Sequence, residues 1–327
     1  MATTTSTSPP ERSEILRRLF RGYYETAKLE LPDDMELREF AIQPFGSESY
    51  VRHLSFTSEQ ELRSFLIEKV PLQVYFSAGK YQSPSAPDME SKGWMGSDLM
   101  FDLDADEFCE LNVRRFCMDT GEEVLGDECV SNNVISYSEV TAECLKQVYE
   151  KATLLKDVLK DDFGLEGEIV FSGNRGFHVN VNCYGDCALL DREDRKKIVE
   201  YLTDPRVEPG SPSDFGWAGR LARGVRPLKL DEQVTIDIHR LRRIPGSING
   251  KSGLPVFRIS SASELDNLLS RSPFKGSRVV IQPLVTGELN VYNVRVTLKK
   301  DLKVTINSEV GIYLALKGLV RLTAHVK

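Results

Sequence analysis

A chain of 327 residues, 41% hydrophobic and 28% charged, has enough apolar material for one large core or two ordinary ones. No apolar run approaches the ~18 residues needed to cross a bilayer. Six cysteines in so long a chain argue against a disulfide-stapled secreted scaffold and for a reducing, cytoplasmic setting. The net charge of −7 excludes a general coat of DNA-binding cations, so any polyanion must meet a local patch.

Residues 1–10, rich in Thr, Ser and Pro, read as a flexible tail and not as a signal peptide. From Glu11 to about Lys28, Ile15, Leu16, Leu19, Tyr23 and Tyr24 recur at helical spacing and give one apolar face. Strand-like stretches follow at Leu37–Ile42 and Tyr50–Leu54. Ser58 then opens a helix through Lys69, with Glu61 three residues on as a capping box. Leu72–Ser77 is a short strand, Ser83–Pro87 a turn, and Leu99–Leu103 a buried strand that ends in acid. Cys109 to Ser138 is polar, without clear periodicity, and is expected to be irregular. Glu139–Lys160 is a long helix with Leu145, Val148, Ala152, Leu155, Val158 and Leu159 inward, stopped by Gly164 and Gly167. Strands at Glu168–Phe171 and Phe177–Val181, a helix at Asp191–Leu202, a Pro/Gly-rich loop at Asp204–Gly219 and a mixed tail from Pro255 complete the chain. Strands and helices interleave without a strict βαβ rhythm, which predicts a mixed α/β (α+β) fold.

Three constellations carry chemistry. In Phe101-Asp102-Leu103-Asp104-Ala105-Asp106, strand geometry points Asp102 and Asp104 to the same side. Two carboxylates so close repel unless a cation lies between them, and hard divalent ions take such oxygens. Ser172-Gly173-Asn174-Arg175-Gly176-Phe177-His178 joins two strands through a glycine turn. There, backbone N–H groups, Arg175, Ser172 and His178 could all meet an anion. Leu230-Asp231-Glu232 leads through Arg242, Arg243 and a Gly-rich loop to Asn249-Gly250-Lys251-Ser252-Gly253, adding a third carboxylate and more cations. That loop is not a P-loop, because Pro245 stands where the first glycine would be. The charge distribution agrees: eleven Asp/Glu against two Lys/Arg from Asp98 to Glu128, then eight Lys/Arg against three Asp/Glu from Arg220 to Lys251.

Each element alone is common, but their combination in this order is specific. With Val74 to Tyr81, Lys92 to Asp106 and Asp161-Asp162-Phe163-Gly164, they make the chain resemble the small catalytic subunit of archaeal and eukaryotic-type DNA primases, its archaeal branch above all. The resemblance runs from about Arg38 to Gly253 and more loosely beyond. It implies a primase catalytic domain over 11–327, with bent mixed sheets, a small helical insert at about 186–227 and a zinc-knuckle loop at about 105–144. It implies that Asp102, Asp104 and Asp231 hold two divalent ions, Mg²⁺ or Mn²⁺. Ser172, Arg175, His178, Arg243 and Lys251 would bind the nucleotide's phosphates. Asn249 replaces a histidine usual in archaeal relatives, so its phosphate contact would lack charge. Asp106 and Asp237 fall beside the family's ligand positions. Cys109, Cys117, Cys129 and Cys144 would be the Zn²⁺ ligands, although the short C-x-x-C pair is broken by Thr141.

The resemblance further implies primer synthesis from nucleoside triphosphates on a single-stranded DNA template for DNA replication. It implies a primase large subunit as partner and no membrane. Alternative readings are a primase-polymerase of DNA repair or gap filling, a metal-dependent phosphohydrolase or nuclease, and a subunit that only binds nucleic acid.

Overall fold

A computed structural model describes residues 12–126 and 128–326; the tail expected at 1–10 lies outside them. In chain order the elements begin with α1 (Arg12–Thr26), β1 (Arg38–Gln43), β2 (Val51–Leu54), α2 (Glu59–Lys69), β3 (Gln73–Tyr81), β4 (Trp94–Ser97), β5 (Leu99–Asp104) and α3 (Ala105–Phe108). The middle holds β6 (Asn112–Cys117), β7 (Val134–Glu139), α4 (Ala142–Phe163), β8 (Gly167–Phe171), β9 (Gly176–Val181), α5 (Arg192–Thr203), α6 (Gly216–Ala222) and α7 (Glu232–Ile236). Then come β10 (Leu241–Arg243), β11 (Phe257–Arg258), β12 (Arg278–Pro283), β13 (Gly287–Val291), β14 (Val294–Leu298), β15 (Val304–Asn307), α8 (Ser308–Leu316) and β16 (Val320–Val326).

Local chemistry accounts for most of these elements. The apolar stripe of α1 buries Leu16, Phe20, Tyr24 and, just past its end, Ala27, one helical turn apart. Ser58 caps α2 by accepting from the Glu61 N–H, while the Glu61 carboxylate accepts from the Thr57 N–H, one residue before the cap. Thr141 caps α4 at Cys144 N, and Gly164, at φ +65°, ends it in the left-handed region.

All strand pairs are antiparallel, and the mixed α/β class holds. One sheet runs β10-β3-β1-β2 with β4 also on β3; a second runs β11-β8-β9-β5; a third, β15-β12-β16, is C-terminal. Helix α4 packs on β8 and β9. Most buried apolar side chains form one contiguous core, beside a small satellite at Cys117, Val124 and Cys129.

β4 belongs to the first sheet and β5 to the second, so Asp98 sits on the joint between them. Its buried carboxylate accepts from Arg38 at 2.9 Å, Arg242 at 2.7 Å and Cys183 N at 3.0 Å. Arg195 of α5 donates to the backbone oxygens of Ser97 and Asp98. These bonds fix the relative placement of β5 and β10, which carry acid and base respectively.

Three expectations are corrected. The stretch from Cys109 to Ser138 contains the hairpin β6–β7, in register from Asn112↔Glu139 to Cys117↔Val134. Arg114 and Arg115 interrupt its apolar alternation, so cross-strand pairing and the Arg114–Glu123 ion pair, not periodicity, hold it. The Pro/Gly loop contains the start of α6, anchored by buried Trp217 and by Arg220 paired to Asp161 and Asp162 at the end of α4. Finally, all six cysteines are paired: Cys109–Cys144, Cys117–Cys129 and Cys183–Cys187. Their Cα separations of 5.1–5.9 Å are those of disulfides, a proximity that linear spacing does not reveal. No helix among the described residues is long and apolar enough to cross a membrane.

Candidate active site

β5 and β9 lie side by side with Asp102 opposite His178 and Asp104 opposite Gly176. A side chain at 176 would collide with Asp104 Oδ1 and the Leu103 carbonyl, so glycine there lets the turn approach the acidic strand. Asp231 stands at the N-cap of α7, accepting from Gln233 N at 3.0 Å, and α7 packs against β5. The charge of Asp231 is felt at Asp102. The distant third carboxylate therefore does reach the neighbourhood of the pair.

Asp102 and Asp104 are unfavourably placed for ionisation. Burial first, then Asp231, pushes Asp102 up to about 6, against the pull of Arg240, Arg243 and Arg175. Asp104 is raised by burial and by Asp102, although Arg175 pulls it down. Glu107, on α3, was not singled out from the sequence. Burial and the charges of Asp102, Asp104, Asp106 and Asp231 push it up to about 7. Asp102 Oδ1 and Glu107 Oε2 are both buried without a hydrogen-bond partner. Such oxygens are costly unless a cation satisfies them, so the donor set fits hard divalent ions.

Opposite the acids stands the turn between β8 and β9. Ser172 N donates to Gly176 O at 2.9 Å to close it, and Gly173 takes φ +84° with Asn249, Leu254 and Pro255 close by. Arg175 bridges Asp104 and Asp106, 3.3 Å from each, so Asp106 does engage the cluster. Asp237, by contrast, accepts from His239 N in its own turn. His178 Nε2 lies 3.4 Å from Asp102 Oδ1 without making a hydrogen bond. Burial and the cations Arg243, Arg242 and Arg240 hold His178 down to about 3, so it is a neutral imidazole and not an ion-pair partner.

Arg243 comes from β10, opposite Tyr75 of β3; it donates to Gln73 Oε1 and lies 5.1 Å over the Tyr75 ring. Lys251 is exposed, and its backbone N–H donates to Asn249 Oδ1 at 2.9 Å. Asn249 is itself buried and donates to Ser172 O at 2.6 Å. Its amide thus clamps the Gly-rich loop onto the turn, a bracing role beside the phosphate contact expected of it.

The four cysteines expected to hold zinc do not gather at one point among the described residues. Cys109 pairs with Cys144 and Cys117 with Cys129, because the β6–β7 hairpin carries two of them away from the start of α4. Asp119 lies beside the Cys117–Cys129 pair, but three ligands fall short of a closed tetrahedral site.

Residues 126–208 match the profile of the DNA primase small subunit family, and 278–326 match that of a primase C-terminal domain. A DNA primase small subunit of Sulfurisphaera tokodaii is 53% identical, over 97% of this chain and 99% of its own length. Its counterpart in Sulfolobus acidocaldarius is 52% identical over 97% of each chain, and that of Aeropyrum pernix 34% identical over 92% and 91%. The polymerase domain of Mycobacterium tuberculosis Ligase D, solved with DNA, is 12% identical. It aligns over 78% of this chain and 83% of its own with a TM-score of 0.38, a superposition too loose to argue from.

Proposed function

The chain belongs to the DNA primase small subunit family, and we propose that its nucleotidyl-transfer centre is built on Asp102, Asp104 and Asp231. The chain is a primase catalytic subunit, an enzyme that joins nucleotides. What supports placing the centre here is the pair of buried, unpartnered carboxylate oxygens on Asp102 and Glu107 beneath the charges of Arg175, Arg240 and Arg243.

Asp102, Asp104 and Asp231 would hold Mg²⁺ or Mn²⁺, with Glu107 close enough to share in the binding. When bound, such ions lower the pKa of an attacking hydroxyl and neutralise a triphosphate. The protein's own part is positioning. Arg175 can leave its two carboxylates for phosphate oxygens, which it would hold bidentately. His178, neutral at all working pH values, can donate one ring N–H without adding charge. Arg243, fixed by Gln73 and Tyr75, and Lys251, on the braced loop, would take further phosphate oxygens. Ser172 would contribute its hydroxyl, while its backbone holds Asn249. The 3′-hydroxyl would give up its proton to solvent water as its oxygen bonds to the α-phosphorus, the bond from that phosphorus to the α–β bridging oxygen would break, and pyrophosphate would leave with the electron pair.

The substrates on this reading are nucleoside triphosphates and a single-stranded DNA template, and the partner is a primase large subunit. Residues 186–227 would form a small helical insert of the catalytic domain, and the cytoplasm would be its compartment. Three disulfides suit that compartment where intracellular proteins are disulfide-rich, as in hyperthermophilic archaea. The test is synthesis from labelled nucleotides on an unprimed single-stranded circle, with and without a large subunit. Primers are expected from the native protein and none from Asp102→Ala or Asp104→Ala at unchanged far-UV dichroism. Full activity in either variant would refute the assignment, and growth only from a supplied 3′ end would favour a gap-filling polymerase.

A further inference from the structure

Lys317 follows the last turn of α8, outside every motif that marks the site. Its ammonium does not bond back to its own helix, as a lysine neutralising a helix C-terminus would. Nζ donates to Asn174 Oδ1 at 2.8 Å, on the β8–β9 turn, and lies 5.0 Å from the ring of Tyr313 on its own helix. Tyr292 OH holds the same residue through its carbonyl at 2.8 Å. The other charges that act on Lys317 are Lys251 and Arg175, both cations.

Lys317 is thus held on the residue next to Arg175, and the charges of Arg175 on the turn and Lys251 on the Gly-rich loop both reach it. Arg175 has carboxylates beside it; no carboxylate is among the charges that act on Lys317. Like charges repel, the half-buried Arg175 and Lys317 also resist desolvation, and an anion bound among them offsets both penalties. The cluster also has a direction. Arg175 lies 3.3 Å from Asp104, whereas the Lys317 ammonium is held on Asn174, the residue before Arg175 on the turn. A triphosphate with its α-phosphate at the carboxylates would therefore run its leaving end towards the two lysines.

We infer that Lys317 is a binding residue for the terminal phosphates of the incoming nucleotide, completing a three-cation grip with Arg175 and Lys251. This rests on the assignment of the site to nucleotidyl transfer, and it adds a residue from the C-terminal part of the chain. Burial, Lys251 and Arg175 together hold Lys317 down to about 7, so phosphate binding draws a proton onto it at higher pH.

The experiment is calorimetric titration of the full chain with inorganic triphosphate and with ATP. Lys317→Met is expected to weaken both about tenfold or more, the scale of losing a charged hydrogen bond. Lys317→Arg should stay within about threefold of the native protein by keeping the charge. Asn174→Ala separates grip from brace, since it removes the Asn174 contact and leaves the ammonium; it should bind far more tightly than Lys317→Met. Native binding should take up protons at pH 8, read from buffers of different ionisation enthalpy, and Lys317→Arg should abolish that uptake. In primer synthesis the loss in Lys317→Met should fall mainly on KM for nucleotide, whereas Asp104→Asn acts on kcat. Native-like affinity in Lys317→Met, or equal weakening in Asn174→Ala, overturns the inference. If the native protein makes no primers, the nucleotidyl-transfer assignment fails, while the triphosphate titration still decides the role of Lys317.

Discussion

Asp98 offers the most direct test of how the two sheets hold acid and base in register. Asp98→Ala strands two arginines whose side chains are each only 4% exposed. Breaking a buried ion pair from one side costs about 3–5 kcal/mol. The two arginines differ in what remains. Burial lowers the pKa of Arg38, but Asp34 at 2.7 Å and Asp98 outweigh it, and Asp34 survives the substitution. At Arg242 burial wins despite Asp98, and Glu168 at 3.8 Å, Asn182 at 3.3 Å and the Phe76 ring at 5.2 Å would remain. Partial compensation at Arg38 puts the expected loss near the lower end, about 3 kcal/mol. In thermal melting that is a fall of roughly 6 °C, taking about 2 °C per kcal/mol for a large chain. Arg243 is the next residue on β10, so KM for nucleotide should rise with the loss of stability. Denaturant unfolding and melting, paired with primer synthesis, measure both. A loss under about 1 kcal/mol would show that the joint between the sheets does not depend on this ion cluster.

Two further outcomes follow from the site. Gly176→Ala should abolish primer synthesis, because the new methyl group displaces Asp104 and the Leu103 carbonyl; native activity would mean that the close approach of turn and strand is dispensable. Metal binding should depend on pH. With folded pKa values raised to about 6 for Asp102 and about 7 for Glu107, ionising them costs folding free energy. That cost is absent below the ordinary carboxylate range, grows as the pH rises from that range towards these values and is complete above them. Mn²⁺ should therefore raise the melting temperature little at pH 5 and most at pH 8. Asp102→Asn should melt higher than the native protein without metal at pH 8 and gain less from Mn²⁺; an equal gain would exclude Asp102 as a ligand.

The sequence alone carried the acidic strand, the glycine turn, the long helix and the order of the three constellations. These are local facts: two-residue alternation aims Asp102 and Asp104 together, apolar spacing marks α1 and α4, and Gly173-Asn174-Arg175-Gly176 can only be a turn. Tertiary structure decided what lies far apart in the chain. It paired the cysteines two by two, made Asn249 a clamp on Ser172, and set Asp98 between Arg38 and Arg242. It also brought in Glu107 and Lys317, which no spacing rule selects. Glu107 enters because one short helical turn after β5 folds it back over the carboxylates. Lys317 enters because α8 packs on the C-terminal sheet and ends at the β8–β9 turn. Periodicity reports which face of an element is buried; which elements then meet depends on the packing of the whole core.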